Sequence, residues 1–253
     1  MKHAMCHALL LSAAIAASLG SAAAAQDACH FTTIGTAVVA SVQDGRTLAL
    51  ADGRVLRLAG IEVGENSGEA LQSLVGAQPL RLEALTTEHD RYDRIVAFAF
   101  MGGAKSSVQQ LLLEQGHAMV SARVGDKGCA AILFAAERTA RAARRGIWAD
   151  PNFAPLSAEH STGLTARRGR FALVEGKVLS VRESGATIYV NFGRRWTRDF
   201  TVTIARRQQR AFAAAGLAPN MLAGRRIRVR GWIEQRSGPI IAADAPEQIE
   251  LLD

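Results

Sequence analysis

Hydrophobic and polar residues alternate in short runs along the first half of the chain, and turn residues separate the runs. Alternation covers residues 36–42, 47–51 and 55–58, with an Asp-Gly turn after each of the first two runs. This pattern predicts a meander of three strands with two tight turns. Further runs at residues 80–85 and 95–100 predict two more strands. Five strands of this length can close a small barrel.

Apolar residues at helical spacing predict three helices that accompany this barrel. They cover residues 69–75, 107–115 and 130–145, and each of the last two is followed by a glycine. A further short strand is predicted at residues 119–124. The first half is therefore expected to combine a barrel with packed helices.

A second unit is predicted beyond a linker. Residues 151–169 are rich in Pro, Ser, Thr, Gly and Ala and lack periodicity, which is typical of a linker. A helix at residues 206–215 separates the third and fourth strands of the second unit. The predicted strands are residues 171–181, 187–192, 199–204, 226–234 and 240–243. By analogy this order is OB-like, and the predicted fold class is mainly β with helices, an α+β fold with two OB-like β-barrels.

The start of the chain has the pattern of a signal peptide. Lys2 and His3 precede an apolar run at residues 8–19, and small residues follow at 21–25. The run is shorter than the roughly 20 residues of a membrane span, which favours a cleaved signal over an uncleaved N-terminal anchor. We therefore expect a periplasmic or secreted protein with no stable membrane insertion after cleavage, and the oligomeric state stays open.

These patterns predict a division of the chain into four parts. The expected parts are residues 1–25 (signal peptide), 30–150 (first domain), 151–169 (linker) and 170–253 (second domain).

Cleavage of the signal would also remove Cys6. Cys29 and Cys129 would then be the cysteines of a chain in an oxidising compartment, and we expect them to form a disulfide. Two buried, unpaired thiols are the alternative.

The charge of the chain points to an anionic partner. The formal net charge is +7 and the isoelectric point is near 10.0. Nucleic acid, anionic lipid and polysaccharide all fit this charge. Arginine far outnumbers lysine, and its planar guanidinium binds phosphate with two parallel hydrogen bonds.

Five short segments of the first unit follow one another in a recognisable order. They are Val42-Gln43-Asp44-Gly45-Arg46-Thr47, Arg57-Leu58-Ala59-Gly60-Ile61-Glu62-Val63-Gly64-Glu65, Asp90-Arg91-Tyr92-Asp93-Arg94, Leu113-Glu114-Gln115-Gly116-His117-Ala118 and Arg144-Arg145-Gly146-Ile147-Trp148. In order and spacing, residues 35–148 resemble the staphylococcal nuclease (thermonuclease) family.

This resemblance implies a catalytic site. Members of the family hydrolyse phosphodiesters with two arginines, one glutamate and usually a calcium ion. By position, Arg57 and Arg94 match the arginines that bind phosphate, and Glu65 matches the glutamate that activates water. Guanidiniums can neutralise the charge that builds up during attack at phosphorus, and a carboxylate can orient the water or take its proton.

The implied metal site departs from the family pattern. Arg46 stands where the family has one aspartate ligand, and Glu62 stands where it has a second. Three outcomes follow: Ca²⁺ is retained through Glu62, Asp44 and waters; Arg46 replaces the metal as a fixed positive charge; or hydrolysis is lost while phosphate binding remains.

The second unit combines arginines with aromatic residues. We expect exposed contacts to nucleic acid there, with Trp196 stacking on bases, and a further contact from Arg46 in the first unit. The residues chosen in the second unit are Arg194, Arg195, Trp196 and Arg198. The alternative is that Phe192, Phe200 and Trp232 belong to the core and that the arginines are merely solvated.

Three functions remain open at this point. The first is an exported nuclease that cleaves DNA or RNA. The second is a degenerate member that binds nucleic acid or another polyanion without cleavage. A weaker third is a cell-envelope adaptor that binds protein or glycan.

Overall fold

The computed structural model of the protein describes residues 29–64 and 66–252. In that part of the chain, seventeen strands and five α-helices form a mixed α+β fold, which confirms the predicted fold class. Most of the buried apolar side chains lie in two cores, one within residues 37–136 and one within residues 158–249. The predicted signal peptide, residues 1–25, lies outside the described residues.

The first unit contains eight strands within the described residues. They are β1 (Thr32–Ala37), β2 (Val39–Asp44), β3 (Thr47–Leu50), β4 (Val55–Leu58), β5 (Ile61–Val63), β6 (Leu80–Ala84), β7 (Ile95–Met101) and β8 (Ala118–Val120). Six of them form one sheet in the order β1-β6-β7-β4-β3-β2, and β5 pairs with β8. Alternate apolar residues such as Leu48, Leu56 and Leu58 point into the core, as the pattern predicts.

The two edge strands of this sheet belong to one stretch of chain. Only Val38 separates β1 from β2, where the sequence predicts a single strand at residues 36–42. β1 pairs with β6 and β2 pairs with β3, so this stretch links the two edges of the sheet. A bulge next to Gly35, with φ of 116°, adds to the bend. The strands of the predicted barrel are therefore present, with the first one divided in two.

Three helices accompany this sheet, as predicted. They are α1 (Ser67–Val75), α2 (Val108–Glu114) and α3 (Lys127–Ala142). The prediction for α3, residues 130–145, was displaced toward the C-terminus at both ends. The helix begins earlier because the Asp126 carboxylate caps it, accepting from the backbone N–H of Cys129 at 2.8 Å. It ends earlier because Arg144 adopts a positive φ of 51°.

Gly116 and Gly146 allow the loop after α2 to touch the end of α3. Both glycines have positive φ, 77° and 53°. A Cβ on Gly116 would collide with the carbonyl of Arg145, and one on Gly146 would collide with the carbonyl of Gly116. The backbone N–H of Ile147 donates to the Gly116 carbonyl at 2.8 Å. Only glycine fits both positions.

The second unit has nine strands within the described residues. They are β9 (Leu156–Ser157), β10 (Phe171–Lys177), β11 (Ser180–Ser184), β12 (Thr187–Asn191), β13 (Thr201–Ala205), β14 (Arg226–Trp232), β15 (Glu234–Gln235), β16 (Pro239–Ala242) and β17 (Ile249–Leu251). One sheet has the order β17-β14-β10-β9 and the other has the order β11-β12-β13-β16-β15. The helices are α4 (Ser161–Thr165) and α5 (Gln209–Ala214).

Two predicted strands of this unit are each shared between the sheets. The prediction at residues 171–181 corresponds to β10 and β11, and that at 226–234 corresponds to β14 and β15. β12 pairs with both β11 and β13, and β13 pairs in parallel with β16. This connectivity is consistent with the predicted OB-like order. β17 was not predicted, because a strand of three residues is too short to show alternation.

The predicted linker, residues 151–169, packs against the second unit. β9 pairs in parallel with β10, and Leu164 in α4 is buried in the second core. Leu156 packs partly buried against the same core. The two leucines are isolated within a polar stretch, so periodicity could not reveal them.

The two units meet at a buried ion network. The guanidinium of Arg230 in β14 is 1% exposed and donates to both carboxylate oxygens of Glu137 in α3, at 2.9 and 3.0 Å. It also donates to Glu250 in β17 at 2.6 Å. Burial lowers the pKa of Arg230, but the two carboxylates outweigh this effect and raise it. A small third core also holds residues of both units: Met119, Ala140, Trp148 and Leu173.

Candidate functional site

Three arginines lie on or next to the neighbouring strands β3, β4 and β7. Cross-strand pairs place Thr47 opposite Arg57, and Arg57 opposite Val96. Arg46 directly precedes β3, and Arg94 directly precedes β7. Because β4 lies between the other two strands, Arg57 lies between Arg46 and Arg94.

The charges in this region act on one another. Burial lowers the pKa of the Arg57 guanidinium, and the positive charges of Arg46 and Arg94 lower it further. The carboxylates of Glu62 and Asp90 oppose this shift. Strand pairing and the ion pairs of Glu62 and Asp90 place these five side chains in one region, which we call the arginine cleft.

Arg46 points into the cleft and binds its carboxylate. Nη1 of Arg46 donates to Oε2 of Glu62 and, at 3.3 Å, to the backbone carbonyl of Ile61. Nη2 of Arg57 lies 3.8 Å from Oε1 of the same carboxylate. Two guanidiniums therefore share Glu62.

This arrangement does not fit a calcium ion. Calcium needs six to eight oxygen ligands, and the Glu62 carboxylate and Ile61 carbonyl already accept from the Arg46 guanidinium. Asp44 is exposed and its carboxylate accepts from the backbone N–H of Arg46 at 2.8 Å. A cation at Glu62 would lie against the positive charge of Arg46, so we assign no chemistry to calcium here.

Glu62 is buried, with 9% of its surface exposed. Burial raises the pKa of its carboxyl, and the charges of Arg46 and Arg57 act in the opposite direction without cancelling the rise. The carboxyl thus depends on its arginine partners to stay ionised.

Asp90 holds Arg94 in a defined orientation. Its Oδ2 accepts from Nε and Nη2 of Arg94 at 2.9 and 2.7 Å, and its Oδ1 accepts from the backbone N–H groups of Tyr92 and Arg94. Nη1 of Arg94 takes no part in these contacts. No role was predicted for Asp90, although its position four residues before a candidate arginine was the available signal.

Tyr92 lies above this pair and is 62% exposed. The guanidiniums of Arg91 and Arg94 lie 4.7 and 5.1 Å from the centre of its ring. The ring is therefore an aromatic surface beside the cleft, and no role was predicted for it from the sequence.

Thr47 supplies a further polar group on the same face as Arg57. Thr47 is 3% exposed, and its hydroxyl has no hydrogen-bond partner within the residues that the structure describes. Buried polar groups are nearly always paired, so this hydroxyl is an exception among the buried groups.

Glu65, the predicted water-activating residue, lies outside the described residues. On one side of it, Gly64 lies against the side chains of Ile147 and Phe153. On the other side, the hydroxyl of Ser67 in α1 donates to the carbonyl of His117 at 2.6 Å. The chain is thus held on both sides of this position.

Cys29 and Cys129 form the predicted disulfide. Asp126 lies near both sulfurs, and the three side chains could hold a metal by distance alone. Sulfurs joined in a disulfide have no thiolate to offer, so this group is not a metal site.

The predicted contacts of the second unit lie on different surfaces. Arg194 and Trp196 line a groove of about 1000 Å³ on the sheet that contains β12, and Arg195 and Arg198 are exposed outside its lining. Phe192 and Phe200 belong to the core, and Trp232 is 47% exposed. Arg46, predicted to contact nucleic acid as well, belongs to the arginine cleft.

Residues 55–150 match the family described as staphylococcal nuclease homologue. This part of the chain is similar to staphylococcal nuclease homologues, and we call it the nuclease homologue domain. The match includes Arg57 and Arg94, whereas Arg46 lies before its start. The residue that changes the metal site is thus outside the matched segment.

The nuclease homologue domain indicates a nuclease-type function and a nucleic acid as its substrate. No curated protein matches the chain. Among the described residues, no helix has the length and apolar character needed to cross a membrane.

Proposed function

We propose that the protein is an exported phosphodiesterase that cleaves DNA or RNA at the arginine cleft. The observation that carries this proposal is that Arg46 and the half-buried Arg57 share the Glu62 carboxylate beside the strand that Arg94 precedes. Three guanidiniums supply several N–H donors at one place, which favours binding of a phosphodiester anion. That attraction strengthens as negative charge builds up on the phosphate in the transition state.

Each side chain has a defined part in binding. Arg57 and Arg94 bind the non-bridging phosphate oxygens, and Asp90 fixes Arg94 before the substrate arrives. Preorganised donors stabilise the transition state more than donors that must first be ordered. Arg46 supplies a fixed positive charge where the family has a ligand of its metal.

The hydrolytic step requires a base, and we assign this part to Glu65. Glu65 takes a proton from water as the water oxygen bonds to phosphorus. The bond from phosphorus to the sugar oxygen breaks, and that oxygen takes a proton from solvent. A carboxylate that acts as a general base typically increases the rate of such a reaction by a factor of about 10² to 10⁴.

Binding without hydrolysis is the second candidate function, and the contact between Arg46 and Glu62 favours it. A guanidinium can stabilise charge and donate hydrogen bonds, but it cannot lower the pKa of a bound water as a metal ion does. Such a cleft would still bind phosphate, but it would not accelerate hydrolysis of the phosphodiester.

Export is supported by the disulfide between Cys29 and Cys129. Disulfides persist in oxidising compartments such as the periplasm and the cell exterior, and they are rare in the cytosol. The signal-like segment at residues 1–25 provides the route.

A cleavage assay tests both candidates. The chain from Gln26 onward is incubated with single-stranded and double-stranded DNA and with RNA, in calcium or in chelator. Glu65→Gln is the test variant, and Glu69→Gln, an exposed glutamate in the first turn of α1, is the matched control. We expect cleavage in chelator, a loss of about 100-fold in Glu65→Gln and no change in Glu69→Gln.

The outcomes separate the two functions. Equal cleavage by the wild type and Glu65→Gln would overturn the part assigned to Glu65. Binding of the same nucleic acids without cleavage by the wild type would establish the second candidate instead.

A further inference from the structure

The second unit carries a groove that the cleft does not use. The sheet β11-β12-β13-β16-β15 turns one face to the second core through residues such as Val190, Val202 and Ile241. The register puts the alternate residues on the opposite face, where Arg182 pairs with Tyr189 and Tyr189 pairs with Thr203. A groove of about 1000 Å³ lies over this face.

The floor of the groove is polar. On the outward face of β11, β12 and β13 the lining residues are Ser180, Arg182, Ser184, Tyr189, Asn191, Thr201 and Thr203. These side chains offer hydroxyl, amide and guanidinium groups, which can donate hydrogen bonds to anionic oxygens.

The rim of the groove is positively charged. Arg194 and Arg236 join Arg182 along the lining, where Glu183 is the one acidic residue. Glu183 lies 3.7 Å from the guanidinium of Arg206, which offsets its charge. The groove is therefore complementary to an anionic chain.

Two aromatic rings add flat apolar surfaces to this basic groove. Tyr189 lies in the middle of the sheet face and is 37% exposed, and Trp196 lies in the loop between β12 and β13 and is 68% exposed. An exposed tryptophan gains free energy when a planar group covers it. Bases of nucleic acid are planar groups on an anionic chain, so they match rings and arginines together.

The loop that carries Trp196 is braced. Oδ2 of Asp199 accepts from the backbone N–H of Arg195 at 2.8 Å, which closes the loop. Gly238, in the hairpin between β15 and β16, allows close approach, because a Cβ there would lie 3.1 Å from the carbonyl of Trp196. The ring therefore stands on a supported backbone, and binding need not order the loop.

We propose that this groove binds a single-stranded segment of nucleic acid, with bases on Tyr189 and Trp196 and phosphates on Arg182, Arg194 and Arg236. A duplex stacks its bases on one another and hides their faces, so only an unpaired strand can cover the rings. If the protein is the proposed phosphodiesterase, the strand bound in the groove is also the strand that is cut at the arginine cleft, and this link rests on the proposed function. Binding of a single strand in the groove does not depend on that function.

A binding measurement tests this proposal separately from cleavage. The full mature chain is titrated into a labelled oligothymidylate of about 15 nucleotides, close to the largest site size of a small barrel. Phosphorothioate linkages protect the oligomer from cutting. An abasic oligomer of the same length has the same charge and lacks the bases, and a duplex of the same length keeps them stacked.

The variants separate the groove from the rest of the surface. Trp196→Ala alone and together with Tyr189→Ala removes the rings, and both residues are exposed enough to leave the fold intact. Trp232→Ala is the matched control, since Trp232 is 47% exposed on β14 and does not line the groove.

We expect the wild type to bind oligothymidylate at least about tenfold more tightly than the abasic oligomer or the duplex, in line with the stacking of a base on a ring. The double variant should lose this preference, Trp196→Ala should lose part of it, and Trp232→Ala should keep it. Equal affinity for all three probes, or an unchanged preference in the double variant, overturns the proposal even if the wild type cleaves DNA. A wild type that binds with this preference and does not cleave nucleic acid would overturn the proposed hydrolase activity and would still support the single-strand groove.

Discussion

Arg46 and Glu62 form an ion pair inside the arginine cleft, and the buried carboxylate of Glu62 receives its strongest contact from Arg46. The pair joins the residue before β3 to the middle of β5. A side chain that would hold calcium is therefore engaged by a guanidinium of the protein itself. This relationship determines how the cleft should respond to metal ions.

Arg46→Asp should turn the cleft into a calcium-dependent one. The change removes the fixed charge and leaves Glu62, Asp44 and the new carboxylate to coordinate an ion. In chelator we expect cleavage to fall by about 100-fold, as when one electrostatic donor is removed, and calcium should restore much of it. Rates are measured across a calcium titration with Arg54→Asp, an exposed arginine outside the cleft, as the control. A variant as active in chelator as the wild type would contradict this prediction.

Asp90→Asn should weaken phosphate binding. It should also lower the free energy of unfolding at neutral pH but not at acidic pH. The hydrogen bonds and charge of Arg94 outweigh the effect of burial and lower the pKa of Asp90 to about 2. Because this pKa is below its unfolded value, the ionised carboxylate stabilises the fold above about pH 4, and this stabilisation disappears as the pH falls toward 2. After solvent screening it amounts to about 1 kcal/mol.

Urea unfolding of Asp90→Asn at neutral and acidic pH measures this effect. The loss of stability relative to the wild type should be present at pH 7 and should vanish near pH 2. Asp93→Asn is the matched control, since the Asp93 side chain is 93% exposed and asparagine tolerates its φ of 58°. An equal loss at both pH values would show that the effect does not come from ionisation of Asp90.

Arg230→Met should destabilise the whole chain strongly. The substitution leaves Glu137, which is fully buried, without its bidentate partner at the junction of the two units. Breaking a buried pair from one side typically costs about 3 to 5 kcal/mol. Arg236→Met, at a side chain that is 72% exposed, should change the free energy of unfolding by less than about 1 kcal/mol. Similar urea midpoints for the two variants would refute the structural importance of this network.

Gly116→Ala should cost more than a positive φ alone explains. Gly102 has a positive φ of 48° and open space around it, so Gly102→Ala measures the backbone strain, roughly 1 to 2 kcal/mol. Gly116→Ala adds the collision with the carbonyl of Arg145, and we expect a total of about 3 kcal/mol or more. Thermal unfolding of both variants provides the comparison. Equal melting temperatures would mean that the loop after α2 can move away at no cost.

The sequence by itself determined the local elements of the nuclease homologue domain. Strand alternation and Asp-Gly turns act over a few residues, and so they predicted β3, β4 and β7. Arg57 and Arg94 were found through the resemblance of their segments to a known family, and their roles stay predictions. Two cysteines left after signal cleavage were enough to predict the disulfide. The boundaries of α3 and the division of the first strand were wrong, because a side-chain cap and a bend decide them.

Only the tertiary structure decided which charges meet. Arg46 binds Glu62 because β3 and β5 come together in the fold, and Arg230 reaches Glu137 across 93 positions of the chain. The local sequence cannot reveal such pairs, because the residues around a charged side chain are the same whether it lies in solvent or in a buried ion pair. The two leucines of residues 151–169 were concealed for the same reason: their burial depends on β10 and the second core, which lie elsewhere in the sequence.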